Sequence, residues 1–388
     1  MRVLFAHDNK FIKFNNKFYS QGGFSQHIWE RYTKVFENLT VVSRQIQIDD
    51  FQSNLNFSSY ENVNFVKVPD FHSPSTIKNY RMALKIIDEE VSKADYVIAR
   101  LPSSIGSVAV DCAKKWNKPY LIEVVGCAWD AYWNHSFNGK IVAPSMFLKM
   151  RKDIKHAKYV VYVTNEFLQN RYPTNGKMAN ISDVELKDLD ENILARRIRK
   201  VETDEKNKNI VIGTIAPLDV RYKGQEYVIM ALGQLKRLGY ENYEYHLVGG
   251  GDSKFLREIA IKNNVQDKIK FLGSMPHDKI FDWLEKIDIY AQPSKLEGLP
   301  RALIEAMSYG VPGFGANKGG IPELLNKNFV FDFDKNTIDS ICDMILSMEE
   351  LNLKEQAIRN FNEASKYSAN ILENRRQAFF EKFKTSSF

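Results

Sequence analysis

Short apolar runs that stop at a glycine or a polar side chain recur along this chain. Most are followed by a stretch with helical spacing. Residues 3–6, 95–99, 118–125, 158–164, 210–216, 243–248, 269–272 and 287–291 have strand length and composition. Amphipathic patterns lie between them, with Ile28, Tyr32, Val35 and Phe36 in phase, then Tyr80, Leu84, Ile87 and Val91, then Val228, Leu232, Leu235 and Leu238. Strand–helix alternation of this kind predicts doubly wound α/β domains. Ligands of such sheets sit beyond the carboxyl ends of the strands. In the first half that rule points at Arg100, Glu123, Gly126 and Trp129.

A chain of 388 residues is too long for one core, which predicts two domains. The charged stretch 188–208 carries little core signal and is the expected linker. The expected division is 1–187, the linker, 209–365, and a last segment 366–388. No run approaches the roughly 18 apolar residues of a membrane span. The first residues lack a signal-peptide core and read as a strand, with a polar loop after Ala6. Three widely spaced cysteines, Cys112, Cys127 and Cys342, form no disulfide or metal framework and suit a reducing cytoplasm. A net charge of +6 permits a phosphate-rich substrate, an anionic membrane or nucleic acid without choosing among them. No nucleic-acid-binding signature accompanies it.

The densest local signal is 294–323, SKLEGLPRALIEAMSYGVPGFGANKGGIPE. Gly298-Leu299-Pro300 reads as a turn opening a helix. Ala302, Leu303, Ala306 and Met307 repeat at helical spacing, and Gly310 ends it. Glu297 then precedes the helix and Glu305 lies in its second turn. The N-terminus of such a helix suits a phosphate. Carboxylates beside a phosphate need another partner, and sugar hydroxyls supply one. A second turn, Gly319 to Glu323, repeats the device.

This stretch resembles the donor-site motif of retaining glycosyltransferases of family 4, whose fold is GT-B. The resemblance implies two Rossmann-like domains facing a central cleft, with the final helix crossing back to the first. It implies that Glu297 binds hydroxyls of the donor sugar, Glu305 binds the ribose, and Leu299 and Pro300 meet the diphosphate. Lys223, before Gly224, matches the family's lysine on the diphosphate, and Arg221 is a second cation candidate. Gly22 and Gly23 match a loop that lies against the diphosphate. Gly249, Gly250, Leu272 and Gly273 would flank the nucleotide. The implied reaction moves a hexose or N-acetylhexosamine, with retention, from a UDP- or GDP-linked donor to a glycan or lipid-linked glycan in surface polysaccharide assembly. No metal or other cofactor is expected.

The chain departs from the family at three places. Pro217 stands where an arginine is common, Arg100 where a histidine is common, and Glu123-Val-Val-Gly126 where His-Gly is common. These departures keep open a sugar-nucleotide-binding protein without catalysis, or an enzyme with a soluble-sugar or protein acceptor. Asp332-Phe-Asp334 and Asp188-Leu-Asp190 are D-x-D patterns away from the strand ends and read as surface acids. G-x-G-x-x-G after the first strand and G-x-x-x-x-G-K-[ST] are both absent, which argues against a dehydrogenase or a P-loop NTPase. The aromatic loop around Trp129 could be a lid, an acceptor platform or packing. The stretch 140–158 has six basic residues and one acid. It reads either as a solvated face or as a helix for an anionic membrane.

Overall fold

The computed structural model describes all residues except 22, 52–54, 72–74, 135–136, 185, 187–188, 204–208, 351–352 and 386–388. The chain forms two compact units, Met1–Ile181 with Leu372–Phe388, and Ser182–Ile371.

The first unit contains β1 (Arg2–Phe14), β2 (Lys17–Ser20), β3 (Asn38–Gln47), β4 (Asn56–Phe57), β5 (Val63–Lys67), β6 (Tyr96–Leu101), β7 (Tyr120–Val124), β8 (Tyr159–Tyr162) and β9 (Lys177–Asn180). Its helices are α1 (Gln26–Thr33), α2 (Tyr80–Lys93), α3 (Ser104–Lys115), α4 (Ala128–Trp133), α5 (Phe137–His156) and α6 (Phe167–Arg171). Strands β5-β3-β1-β6-β7-β8-β9 pair in parallel in that spatial order.

Strand β1 does not end at Ala6. It bulges and runs on to Phe14, burying Phe11 and Ile12, and β2 pairs antiparallel with its far half. Asn15 and Asn16 turn the hairpin with φ of +47° and +59°. Asparagine tolerates that left-handed conformation better than most residues. Helix α2 buries Ala83, Ile87 and Val91, whereas Tyr80 and Leu84 are exposed despite sharing their spacing.

The second unit contains α7 (Glu191–Thr203), β10 (Ile210–Ile215), α8 (Gln225–Arg237), β11 (Tyr243–Val248), α9 (Lys254–Lys262), β12 (Ile269–Gly273), α10 (His277–Leu284), β13 (Ile289–Gln292), α11 (Arg301–Ser308), β14 (Gly313–Ala316), α12 (Ile321–Leu324), β15 (Val330–Phe331), α13 (Thr337–Glu350) and α14 (Leu353–Ser365). The strand order is β12-β11-β10-β13-β14-β15, all parallel.

Much of the stretch read as a linker is α7. Its buried Arg197 donates to the carbonyl oxygens of Leu284, Ile287 and Tyr309 at 2.6, 2.7 and 3.1 Å. A guanidinium can satisfy three helix-end and loop carbonyls at once. The charged residues of α7 mask a short apolar stripe, Leu194, Ile198 and Val201, that shares its face with Arg197.

The last helix, α15 (Ala369–Thr385), packs its second half into the first unit. Phe380 stacks on Tyr32, with ring centroids 5.7 Å apart. Phe383 lies 5.4 Å from Tyr96 and 5.3 Å from Tyr159.

Candidate active site

In the second unit the chain steps outward from β10 to β12. It then returns to β13 beside β10 and continues the other way. At this reversal the crevice outside the carboxyl ends of β10 and β13 is where such sheets bind ligands.

The β10 loop is tied down before it reaches its charged residues. Pro217 accepts from the Nε2 of buried Gln225 at 3.0 Å, and the Leu218 N–H donates to the Gly250 carbonyl at 2.8 Å. A short helical turn, Arg221–Lys223, leads to Gly224 at φ +74°. A Cβ at Gly224 would stand 2.0 Å from the Pro293 carbonyl oxygen. Glycine therefore lets the β10 and β13 loops touch. Beside that contact, the Lys295 N–H donates to the Tyr222 carbonyl at 2.7 Å.

This approach sets Lys223 on Glu297, with Nζ donating to Oε1 at 2.5 Å. Gln292, buried at the end of β13, donates from Nε2 to the same oxygen at 3.0 Å and to Ser294 Oγ at 2.9 Å. The second glycine turn braces this loop from behind. A Cβ at Gly319, where φ is +59°, would lie 2.1 Å from the Glu297 carbonyl oxygen, and the Gly320 N–H donates to the Gly298 carbonyl at 2.7 Å.

Leu299 and Pro300 are buried and deliver the chain into α11. Glu305 lies one turn inside that helix, with Oε1 3.6 Å from Nε2 of His277 at the start of α10. Burial pushes the Tyr290 phenol in β13 well above its ordinary pKa, and the carboxylates of Glu305 and Glu297 push it the same way. Both glutamates thus lie close enough to act on one buried tyrosine.

The neighbouring loops close the same rim. The Gly249 N–H donates to the Gly273 carbonyl at 2.9 Å, and Leu272 and Gly273 are exposed. With the Leu218–Gly250 bond, this joins the ends of β10, β11 and β12. Arg221 is exposed and lies flat on Phe255 of α9, its guanidinium carbon 3.1 Å from the ring centroid. Glu226, in the first turn of α8, is buried. Burial raises its carboxyl pKa, while Lys295 at 3.7 Å works against that rise.

In the first unit, Arg100 and Glu123 are register partners on β6 and β7. They form an ion pair at 3.1 Å, and the Tyr32 hydroxyl donates to both Glu123 oxygens at 3.0 and 3.1 Å. The start of α3 is occupied by Asp8, which accepts from the N–H groups of Ser104 and Ile105 at 2.7 and 2.9 Å. Gly126 is half-buried after β7, and Trp129 stacks on Trp133 at 5.0 Å. Gly23 is exposed between β2 and α1, and Gly22 lies outside the described residues.

Of the D-x-D acids, Asp188 lies outside the described residues, Asp332 accepts from the Asn317 side-chain amide at 3.0 Å, and the other two act near helix starts. Asp334 accepts from the Asn336 N–H at 2.8 Å and Asp190 from the Asn192 N–H at 2.9 Å. Among the described residues no group of three or more His, Cys, Asp or Glu side chains is placed to hold a metal.

Two site residues escape sequence reasoning. His277 looks like an ordinary helix start. Gln292 carries a faint signal, a polar side chain ending an otherwise apolar buried run. Its Oε1 is buried and has no partner. Gln292→Leu removes that unsatisfied acceptor together with one donor to Glu297. The expected result is an unchanged or higher melting temperature with kcat/KM lower by roughly ten-fold. Kinetics beside a melting curve check this, and undiminished transfer would remove the positioning role.

The two parallel α/β units share the GT-B fold of solved structures that include the glycosyltransferase WaaG. The crystal structure of Anabaena HepE in complex with UDP matches with a TM-score of 0.66, covering 99% of this chain and 100% of that one at 16% identity. Residues 194–366 match the family described as glycosyl transferases group 1. Protein CapJ of Staphylococcus aureus is 37% identical over 339 residues, 85% of this chain and 82% of CapJ. The amylovoran biosynthesis glycosyltransferase AmsK of Erwinia amylovora is 35% identical over 113 residues, 27% of this chain and 28% of AmsK. The chain belongs to the glycosyl transferases group 1 family and is a glycosyltransferase.

Proposed function

We propose that this enzyme moves a hexose or N-acetylhexosamine, with retention and without a metal, from a UDP- or GDP-linked donor to a hydroxyl of a glycan. The observation that carries this reading is the Lys223–Glu297 pair at the sheet reversal. In the proposed complex the donor diphosphate takes Lys223 and the N–H groups at the start of α11, and the sugar hydroxyls take Glu297. Glu305 accepts from the ribose. The bond between the anomeric carbon and the diphosphate oxygen breaks as the acceptor oxygen attacks from the same face. The leaving phosphate collects the acceptor proton, so the reaction needs no separate base. Lys223 matters most where leaving-group charge develops.

AmsK supports surface polysaccharide assembly as the setting, and the HepE complex supports a uridine nucleotide. On this reading the acceptor is lipid-linked and the enzyme works at the cytoplasmic face of the membrane. No described helix is long and apolar enough to cross a membrane.

A thermal-shift panel of UDP-, GDP-, ADP- and dTDP-sugars, run without metal, tests the donor site. A ligand that binds only the folded chain raises Tm by mass action. One base class is expected to raise it, and no shift with any nucleotide would refute the donor assignment. Stabilisation by a sugar nucleotide that is never turned over would favour the binding protein without catalysis. The placement of Arg221 on Phe255 and Pro217 in the arginine position favour that second reading.

A further inference from the structure

Helices α2, α3 and α5 form one layer on the first unit's sheet. Lys115 of α3 pairs with Asp88 of α2 at 2.8 Å, and Lys114 of α3 pairs with Asp153 of α5 at 2.7 Å. Helices α2 and α3 come after the parallel strands β5 and β6, and α5 comes after α4, which follows β7.

The layer turns apolar side chains outward. Ile77, just ahead of α2, is 57% exposed and Met82 is 59% exposed. Ile141 and Leu148, two turns apart on α5, are 68% and 64% exposed. Tyr80, Leu84 and Trp133 are also exposed. Single exposed apolar residues are ordinary, but these recur on the two helices that flank α3. They are interleaved with exposed Lys78 and Arg81 on the first, and with Lys140, Arg151 and Lys152 on the second. No aspartate or glutamate occurs in 75–87 or in 137–152. The acids of this layer come later in the helices, where they pair with lysines.

Apolar residues interleaved with cations, with the nearby acid Asp111 of α3 held by Lys149 at 2.9 Å, match the chemistry of a bilayer interface carrying anionic headgroups. We infer that the N-terminal half of α2 and the exposed face of α5 from Lys140 to Lys152, with Trp133, seat this chain on an anionic lipid surface. The surface deepens the lipid-linked acceptor reading by naming where the membrane meets the chain. It rests on that reading only for its purpose, since lipid binding needs neither donor nor acceptor.

The test is flotation of the full chain with vesicles of phosphatidylcholine alone and of phosphatidylcholine with phosphatidylglycerol. Binding roughly ten-fold or more tighter to the anionic vesicles is expected, weakening as salt rises. Ile141→Glu with Leu148→Glu, and separately Lys140→Glu with Arg151→Glu, should each cut binding by roughly ten-fold. These residues are exposed, so the melting temperature and the donor thermal shift should hold. Absence of binding to anionic vesicles would overturn the inference while leaving the transferase reading intact. Full binding by both double variants would also overturn it. So would gel filtration showing a dimer that Ile141→Glu with Leu148→Glu dissolves, since a second copy would then cover the patch.

Discussion

Lys223→Ala is expected to lower kcat by roughly a thousand-fold, in line with losses seen when one preorganised charge stabiliser is removed. The substitution takes away the cation that the diphosphate would meet as its negative charge grows. It also strands Glu297, whose oxygen would keep only the Gln292 amide among the contacts described. An anion deprived of its partner in a mostly buried site costs about 1–3 kcal/mol. A modest drop in melting temperature should therefore accompany the kinetic loss. Lys223→Met with Glu297→Gln separates the two effects, because it removes both charges together. That double variant should recover stability and remain inactive. Lys223→Arg keeps the charge but replaces a compact ammonium with a planar fork, and partial activity is expected. Stopped assays with radiolabelled donor would measure all three, and near-normal turnover by Lys223→Ala would remove the lysine from the site.

Glu305→Ala should show the opposite kinetic signature. The carboxylate lies in the second turn of α11, away from the Lys223–Glu297 pair, and its assigned partner is the ribose. Ribose is bound equally in the ground state and the transition state, so losing its acceptor raises the donor KM more than it lowers kcat. Two hydrogen bonds to a charged acceptor, each contributing about 1.5–3 kcal/mol, correspond to a rise of roughly a hundred-fold or more. Titration calorimetry with the nucleoside diphosphate checks this without chemistry. A variant that binds nucleotide normally and fails in turnover would move Glu305 to a different role.

The sequence carries the strand ends and loops of the second unit's reversal well. Its strands are short apolar runs with distinct ends, and the residues after those ends are the ones the structure gathers. The Gly224 and Gly319 positions were legible because backbone contact leaves a glycine behind. Other features left no such trace. Arg197 is a core residue written in the alphabet of a linker. The far half of β1 is interrupted by a bulge and polar residues, which hides a strand that Phe11 and Ile12 anchor. Arg100 and Glu123 both read as strand-end ligands. Only the register of β6 against β7 shows that they neutralise each other, with Tyr32 as a further donor. Tyr80 and Leu84 keep perfect helical phase with the core and still face outward, because periodicity gives a stripe without its width.

The Lys223–Glu297 contact has a consequence for the order of events in a catalytic cycle. On the proposed assignment Lys223 and Glu297 can bind each other as well as the donor: the lysine can take the place of a sugar and the glutamate that of a phosphate. An intact donor replaces both substitutes at once. A free diphosphate or a free sugar satisfies one partner and leaves the other unmatched. Once the sugar has been passed on, Glu297 is again without hydroxyls and competes with the spent nucleotide for Lys223. The pair would then act as an internal rival to the product, favouring its departure.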